Sequence, residues 1–560
     1  MQPRLTFSLA AATASLMLLH VPHATARQAT VPAVASTAAQ PQPWYDSITT
    51  LDQSMSNGKI DSLELTHDFL RRIVKLDQNG PTVNAVIEIN PDALEIARQR
   101  DKQHGQDHAH GALWGIPVML KDNIDTGDKM LTTAGSLAMT GAPAARDATV
   151  AAKLRQAGAV ILGKTNLSEW ANFRSSYATS GWSGRGGLTR NPYVLDRSAC
   201  GSSSGSAAAV AAGFATVALG TETNGSIICP AAANGVVGIK PTVGLVSRAG
   251  IVPISHSQDT AGPIARNVTD AAIVLSTIAG SDPRDPSTVD ADKHATDYTA
   301  FLDADALAGK RIGVVRELAG HNPKVLHLLD QTIAVLREHG ATVIDPVKLP
   351  HLGDYGKAET TILLYEFKHD INAYLATREG LAVHSLADLI AWNKAHAATE
   401  MPWFGQDLFI KAEAKGPLTD KAYKDALAKA KKLSGPEGID AALARHHLDA
   451  LLAPAQGPIW AIDLVAGDNP GASAYGPAAI AGYPSITVPA GFVHGLPVGM
   501  LFFAGKWSEP TLIGIAYAYE QATHARRRPT FLHTVPEPEP EAPAPASSTS
   551  AAPAGYFAGD

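Results

Sequence analysis

Cysteine is almost missing from this chain. Its 560 residues contain two, Cys200 and Cys229, so at most one disulfide can form. Each lies within a few residues of a hydroxyl cluster described below, which favours two buried, unpaired small side chains over a bridge. A basic stripe is also missing, and with a formal charge of −7 nothing suggests a nucleic-acid partner. Beyond the N-terminus, no apolar run reaches the roughly 20 residues that a membrane helix needs. No Pro-, Gly- or Ser-rich linker divides the interior of the chain.

What is present begins with MQPR, a short basic start, followed by the apolar LTFSLAAATASLMLLHV. Ala24-Thr25-Ala26 then supplies a small-x-small cleavage pattern, so residues 1–26 read as an export signal. The mature protein is expected in the periplasm or outside the cell. Residues 27–43 read as a linker, and the Pro/Ala/Glu-rich tail of 536–560 cannot bury a core and is expected to be disordered. The globular part is therefore residues 44–535. Length alone allows about three domains or one large one, and the unbroken interior favours one.

Asp61 and Glu64 frame a helix start, after which Leu65, Phe69 and Ile73 share one face. ATVAAKLRQAGAVILGK and KVLHLLDQTIAVLREHGATVIDPV each read as helix, glycine stop and buried strand. This alternation predicts an α/β fold with a mixed β-sheet core covered by helices on both sides. Residues 285–445 are expected to form a mostly helical lobe.

Three stretches could carry chemistry. In GIPVMLKDNID, Val118, Met119 and Leu120 read as a buried strand that ends at Lys121. A lysine there usually snorkels to solvent. Held neutral by burial, it would be a base, provided its pKa falls from about 10.4 to about 7–8. Asp122 would point to the opposite face. In ACGSSSGSAAAV, four serines from Ser202 to Ser206 precede a helix, and a helix cap accounts for one or two of them. Gly201–Gly205 also fits G-x-S-x-G around Ser203, but the preceding NPYVLDRSAC is no apolar strand. In GTETNGSIICP, the backbone N–H groups of Thr223, Asn224, Gly225 and Ser226 could converge on a developing oxyanion. A tight glycine turn is the bland alternative.

Together these stretches resemble the amidase signature family. The serine/glycine block, the lysine in a GIPxxxKD context and GS-I-x-x-P followed by GVVGIKPT occur in the family's order. GKTNLSEW, SQDTAGPIARNVTDAA and GLPVGM extend the likeness over residues 50 to 525, more weakly in 285 to 445. The resemblance implies a catalytic set of Lys121, Ser202 and Ser226 with a cis Gly201–Ser202 peptide. Ser203 and Glu222 would support it, and no metal or organic cofactor would be needed.

Three departures stand out. Glu222 replaces the family's common aspartate, Ile228 occupies a position where many members carry arginine, and Cys200-Gly201 replaces Gly-Gly. Ile228 would favour a neutral or apolar acyl group. An exported chain with ETNGSIICP resembles the bacterial peptide amidases, which implies action on the C-terminal amide of peptides; separately, a monomer is expected. Hydrolysis of fatty-acid or aryl and alkyl amides is the alternative. A cytoplasmic amidotransferase component fits less well with an export signal, and an inactive binding protein fits poorly with a complete catalytic set. Trp460 and Tyr475, in a loop near 455 to 480, are candidate wall residues or ordinary core aromatics. A Ser203 hydrolase using His256 and Asp259 is a rival from another class. His104, His108 and His110 have metal-like spacing in a polar stretch that reads better as a solvated loop.

Overall fold

The computed structural model describes residues 42–104 and 110–537. The expected signal, nearly all of the expected linker and most of the expected tail lie outside them. Among the described residues, the chain from Pro43 onward packs as one unit.

Thirteen strands form among the described residues. They are β1 Val86–Ile89, β2 Pro117–Lys121, β3 Val160–Thr165, β4 Trp182–Ser183, β5 Gly187–Leu188, β6 Val217–Glu222, β7 Val237–Lys240, β8 Thr260–Ala265, β9 Arg311–Val314, β10 Thr342–Ile344, β11 Ala450–Pro454, β12 Ser485–Val493 and β13 Leu496–Phe503. Strands β4 and β5 make a small antiparallel pair; the other eleven form one sheet in the order β1-β3-β2-β6-β8-β7-β12-β13-β11-β9-β10. The neighbouring strands β3, β2 and β6 run parallel, whereas β8 pairs antiparallel with both β6 and β7, so the sheet is mixed. Both helix–glycine–strand patterns form, but only the first ends in a buried strand: β10, expected to be buried, is the partly exposed edge strand of the main sheet. Helix Thr149–Gln156 stops before Gly158 at φ 91° and leads into β3, and helix Pro323–Glu338 stops before Gly340 at φ 85° and leads into β10. Asp61 caps helix Ser62–Ile73 by accepting from Glu64 N at 2.7 Å, and Leu65, Phe69 and Ile73 are buried.

The stretch expected to be a helical lobe also supplies β9 and β10, which lie at one edge of the main sheet. Its helices Gly356–Leu375, Leu386–Ala395 and Lys421–Ser434 fit the expectation. Leu364, Phe367 and Ile371 from the first of these belong to an apolar cluster with Trp170, Val252 and Ile254. That packing holds helix Gly356–Leu375 beside the loops at the ends of β2 and β6, where the three chemical stretches meet. No described helix is long and apolar enough to cross a membrane.

Candidate active site

Lys121 is the last residue of β2, between β3 and β6, and is fully buried. The snorkelling alternative is closed. Its Nζ lies 2.7 Å from Ser202 Oγ, 2.8 Å from Thr221 Oγ1 and 3.2 Å from the Thr221 carbonyl oxygen. Burial drives its pKa from 10.5 down to about 7, against the opposing pull of Asp259 and Glu222. Neutralising the amine at pH 7 thus becomes accessible, a change of about 5 kcal/mol relative to a solvated lysine. Asp122 turns away, with Thr133 Oγ1 donating to its carboxylate and Arg185 Nη1 at 3.4 Å.

The four serines have separate tasks, and all are buried. Ser202 faces Lys121. Ser203 Oγ donates to the Thr221 carbonyl at 3.1 Å and accepts from Thr221 N at 3.2 Å, which fastens the serine loop to β6. Ser204 Oγ donates back to the Cys200 carbonyl. Ser206 Oγ donates to the Leu219 carbonyl at 3.0 Å and lies 2.8 Å from Thr165 Oγ1. None of this is helix capping: Ser203 precedes helix Ser204–Ala212 without a side-chain cap bond. The Gly201–Ser202 peptide is cis. Gly201 is required by crowding, because a Cβ there would meet Ser168 Oγ at 2.1 Å.

Ser226 sits on the loop after β6. It lines a cavity of about 230 Å³ together with Gly201, Thr223, Asn224, Trp460 and Tyr475. Ser203 N donates to its carbonyl at 3.1 Å, so the two serine loops are joined directly. They are joined covalently as well. Cys200 and Cys229 form a disulfide, contrary to the expectation of unpaired side chains. The separation of 29 residues conceals the closeness: the chain runs out along a helix and back along β6, leaving the two Cα atoms 5.9 Å apart.

Glu222 accommodates its extra methylene by accepting three backbone bonds, from Gly225 N at 2.8 Å, Ile227 N at 2.8 Å and Ile228 N at 3.0 Å. This corrects one part of the expected oxyanion nest. The Gly225 N–H is committed to Glu222, because the carboxylate reaches beneath the loop. Gly225 adopts φ 82°, and a Cβ on it would meet the Tyr475 ring at 2.4 Å. The expected substrate contact of Ile228 is not found either. It opens helix Ile228–Ala233, is fully buried with Val315, Leu349 and Leu501, and is not among the residues lining the described cavities. Trp460 and Tyr475 do line the smaller cavity; Trp460 Nε1 donates to Asp468 Oδ1 at 3.0 Å.

Several site residues carried no sequence signal. Thr221 is adjacent to Glu222 but reads as an ordinary strand residue. Asn123 Nδ2 donates to Thr221 Oγ1 at 3.0 Å, and Thr223 Oγ1 donates to Asp259 at 2.5 Å. Asn224 Nδ2 donates to Glu359 Oε1, at 2.6 Å, from helix Gly356–Leu375. Burial raises the pKa of Asp259 to about 6 and that of Glu359 above the usual carboxylate range. A second cavity, of about 820 Å³, shares Ala171, Thr223 and Ile254 with the first and extends past Ile251, Tyr374 and Leu418.

The rival Ser203 triad is not assembled. His256 contacts Asp370 and Glu366, Asp259 serves Thr223 and the N–H groups of Ile254 and Ser255, and Ser203 serves Thr221. His108 and the side chain of His104 lie outside the described residues, and the His110 ring sits 4.4 Å from that of Trp114.

The Amidase family model matches residues 64–513. The crystal structure of the peptide amidase of Stenotrophomonas maltophilia superposes with a TM-score of 0.83 at 54% identity, covering 87% of this chain and 98% of that one. An Arabidopsis thaliana protein named "Probable amidase" is 44% identical over 484 residues, 85% of this chain and 89% of its own. A component of the glutamyl-tRNA(Gln) amidotransferase of Thermoanaerobacter pseudethanolicus is 35% identical over 495 residues, 86% of this chain and 97% of its own.

Proposed function

The chain belongs to the amidase family and is a hydrolase of carboxylic amides, and we propose that it removes the amide group from the C-terminus of peptide amides through a Lys121–Ser202–Ser226 relay. The observation that carries the relay is the fully buried Lys121 Nζ, 2.7 Å from Ser202 Oγ and with a pKa near 7. Neutral Lys121 takes the proton of Ser202, and Ser202 takes that of Ser226. Ser226 Oγ then attacks the amide carbon, and the carbonyl oxygen takes up the negative charge. With Gly225 held by Glu222, the oxyanion donors are the N–H groups of Thr223, Asn224 and Ser226. The relay returns a proton to the leaving nitrogen, ammonia departs, and water cleaves the acyl-enzyme.

The peptide amide as substrate is supported by the likeness to the Stenotrophomonas enzyme and by a smaller cavity walled by Phe173, Trp460 and Tyr475 beside Ser226. We propose further that the chain works as an exported monomer. The disulfide is of the kind that persists in oxidising compartments and agrees with the N-terminal pattern.

The test is ammonia release from a short peptide amide, a fatty primary amide and an aryl amide, compared at equal concentration. The expected result is turnover of the peptide amide at the highest kcat/KM, absent in Ser226→Ala. Higher kcat/KM on a fatty or aryl amide would overturn the substrate while keeping the relay.

A further inference from the structure

The wall of the larger cavity carries a cluster that amide hydrolysis does not use. His256 lies on the turn after Ile254, and His369 and Asp370 lie on helix Gly356–Leu375. His256 Nδ1 is 2.8 and 3.0 Å from the two carboxylate oxygens of Asp370, and His369 Nδ1 is 2.8 Å from Oδ1. One ligand-capable atom from each of the three residues falls within 4.8 Å of the others. Two imidazoles therefore converge on one carboxylate from two separate elements.

We propose that His256, His369 and Asp370 bind one divalent transition-metal ion of the zinc class at the wall of the larger cavity. Two imidazole nitrogens and a carboxylate oxygen are a donor set that zinc accepts, with a fourth position left for water. Bonds of about 2.0–2.1 Å in a tetrahedron put ligand atoms roughly 3.3 Å apart. The two His–Asp370 spacings need to open by about half an ångström, the spacing between the two imidazole nitrogens, within 4.8 Å, has to settle to the same value, and both imidazoles are on accessible side chains, 42% and 59% exposed.

The surroundings suit a cation. The other nitrogen of His256, Nε2, is 3.4 Å from Glu366 Oε1. That is the carboxylate–histidine pairing that orients a metal-bound imidazole. Glu366 is itself fixed by Ser255 Oγ, Ser257 N and Tyr423 Oη, which all donate to it. Arg248, the nearby positive group, is held by Asp285, with Nε at 2.9 Å and Nη2 at 2.6 Å, and its Nη1 donates to the His256 backbone carbonyl, not to the imidazole. The metal would bridge the turn that carries Gln258 and Asp259 to the helix that carries Glu359. These three side chains hold Thr223 and Asn224.

The experiment is a zinc titration of the tag-free, chelator-treated chain in competition with a chromogenic chelator, so the readout is independent of any amide hydrolysis. One equivalent bound at micromolar affinity or tighter is expected. His256→Ala/His369→Ala should lose that equivalent, and Asp370→Asn should weaken it at least tenfold, with thermal melts confirming that both variants fold. His104→Ala/His108→Ala should retain it. Wild-type zinc binding in the His256→Ala/His369→Ala chain would overturn the assignment. So would loss of the equivalent in His104→Ala/His108→Ala, or no stoichiometric binding by the wild type.

Discussion

Thr221→Val should move the pH dependence of the reaction, and the structure gives the direction. The Thr221 hydroxyl is 2.8 Å from Lys121 Nζ. It stabilises both forms of the lysine, but unequally. A hydrogen bond to a charged group contributes about 1.5–3 kcal/mol and a neutral one about 0.5–1.5. The difference, about 1–1.5 kcal/mol, favours the ammonium and corresponds to roughly one pKa unit. The base form is the neutral amine, so kcat/KM should rise with pH through about 7 in the wild type. In Thr221→Val the rise should come about one unit lower. Valine also strands Asn123 Nδ2, which donates to the same hydroxyl at 3.0 Å, so stability should fall by about 1–3 kcal/mol. Thr221→Ser restores the acceptor and should leave the limb in place. The assay is kcat/KM for a peptide amide between pH 5 and about 9, inside the range where the fold survives. A limb that stays put or moves upward in Thr221→Val would refute the assignment of that limb to Lys121.

Replacing both cysteines by alanine should lower stability by about 3–4 kcal/mol, from the loop entropy of a 29-residue separation, read as a fall in Tm. An unchanged Tm would mean the bridge does not form in solution. Glu222→Gln puts an amide donor against backbone N–H groups that now donate to Glu222, so kcat/KM should drop about tenfold to a hundredfold, or 1.4–2.8 kcal/mol. His256→Ala should keep amide hydrolysis within about threefold of wild type, since the histidine faces Asp370 and Glu366 and not the serines. Loss of turnover there would revive the Ser-His-Asp alternative.

The chemistry is most legible where local pattern and tertiary task coincide. Val118–Leu120 is an apolar triplet ending in lysine, and a strand buried on both faces leaves its last side chain no route to water. The serine cluster is equally visible, because no capping motif needs four hydroxyls. What sequence conceals is distance. Cys200 and Cys229 look unrelated until β6 folds back beside the serine loop. Asn123, Thr221, Asp259 and Glu359 come from four elements, and only the assembled sheet brings them to the nucleophile loop. Ile228 departs from expectation for a related reason: two residues beyond Ser226 the chain has already entered a helix that faces the core. The oxyanion segment looks like four free N–H groups in sequence, although a glutamate three residues before Gly225 is long enough to occupy one of them.

The relay assigns nucleophilicity to a single hydroxyl, and the most direct measurement is where a serine-directed acylating probe attaches. The chain has no lysine or arginine between Arg197 and Lys240, so trypsin leaves all the candidate serines in one fragment. Reduction of the disulfide followed by cleavage after Glu222 separates Ser202 and Ser203 from Ser226. The acyl mass is expected on the Ser226 fragment of the wild type and nowhere in Lys121→Met. Label on the Ser203 fragment, or undiminished label in Lys121→Met, would contradict the relay.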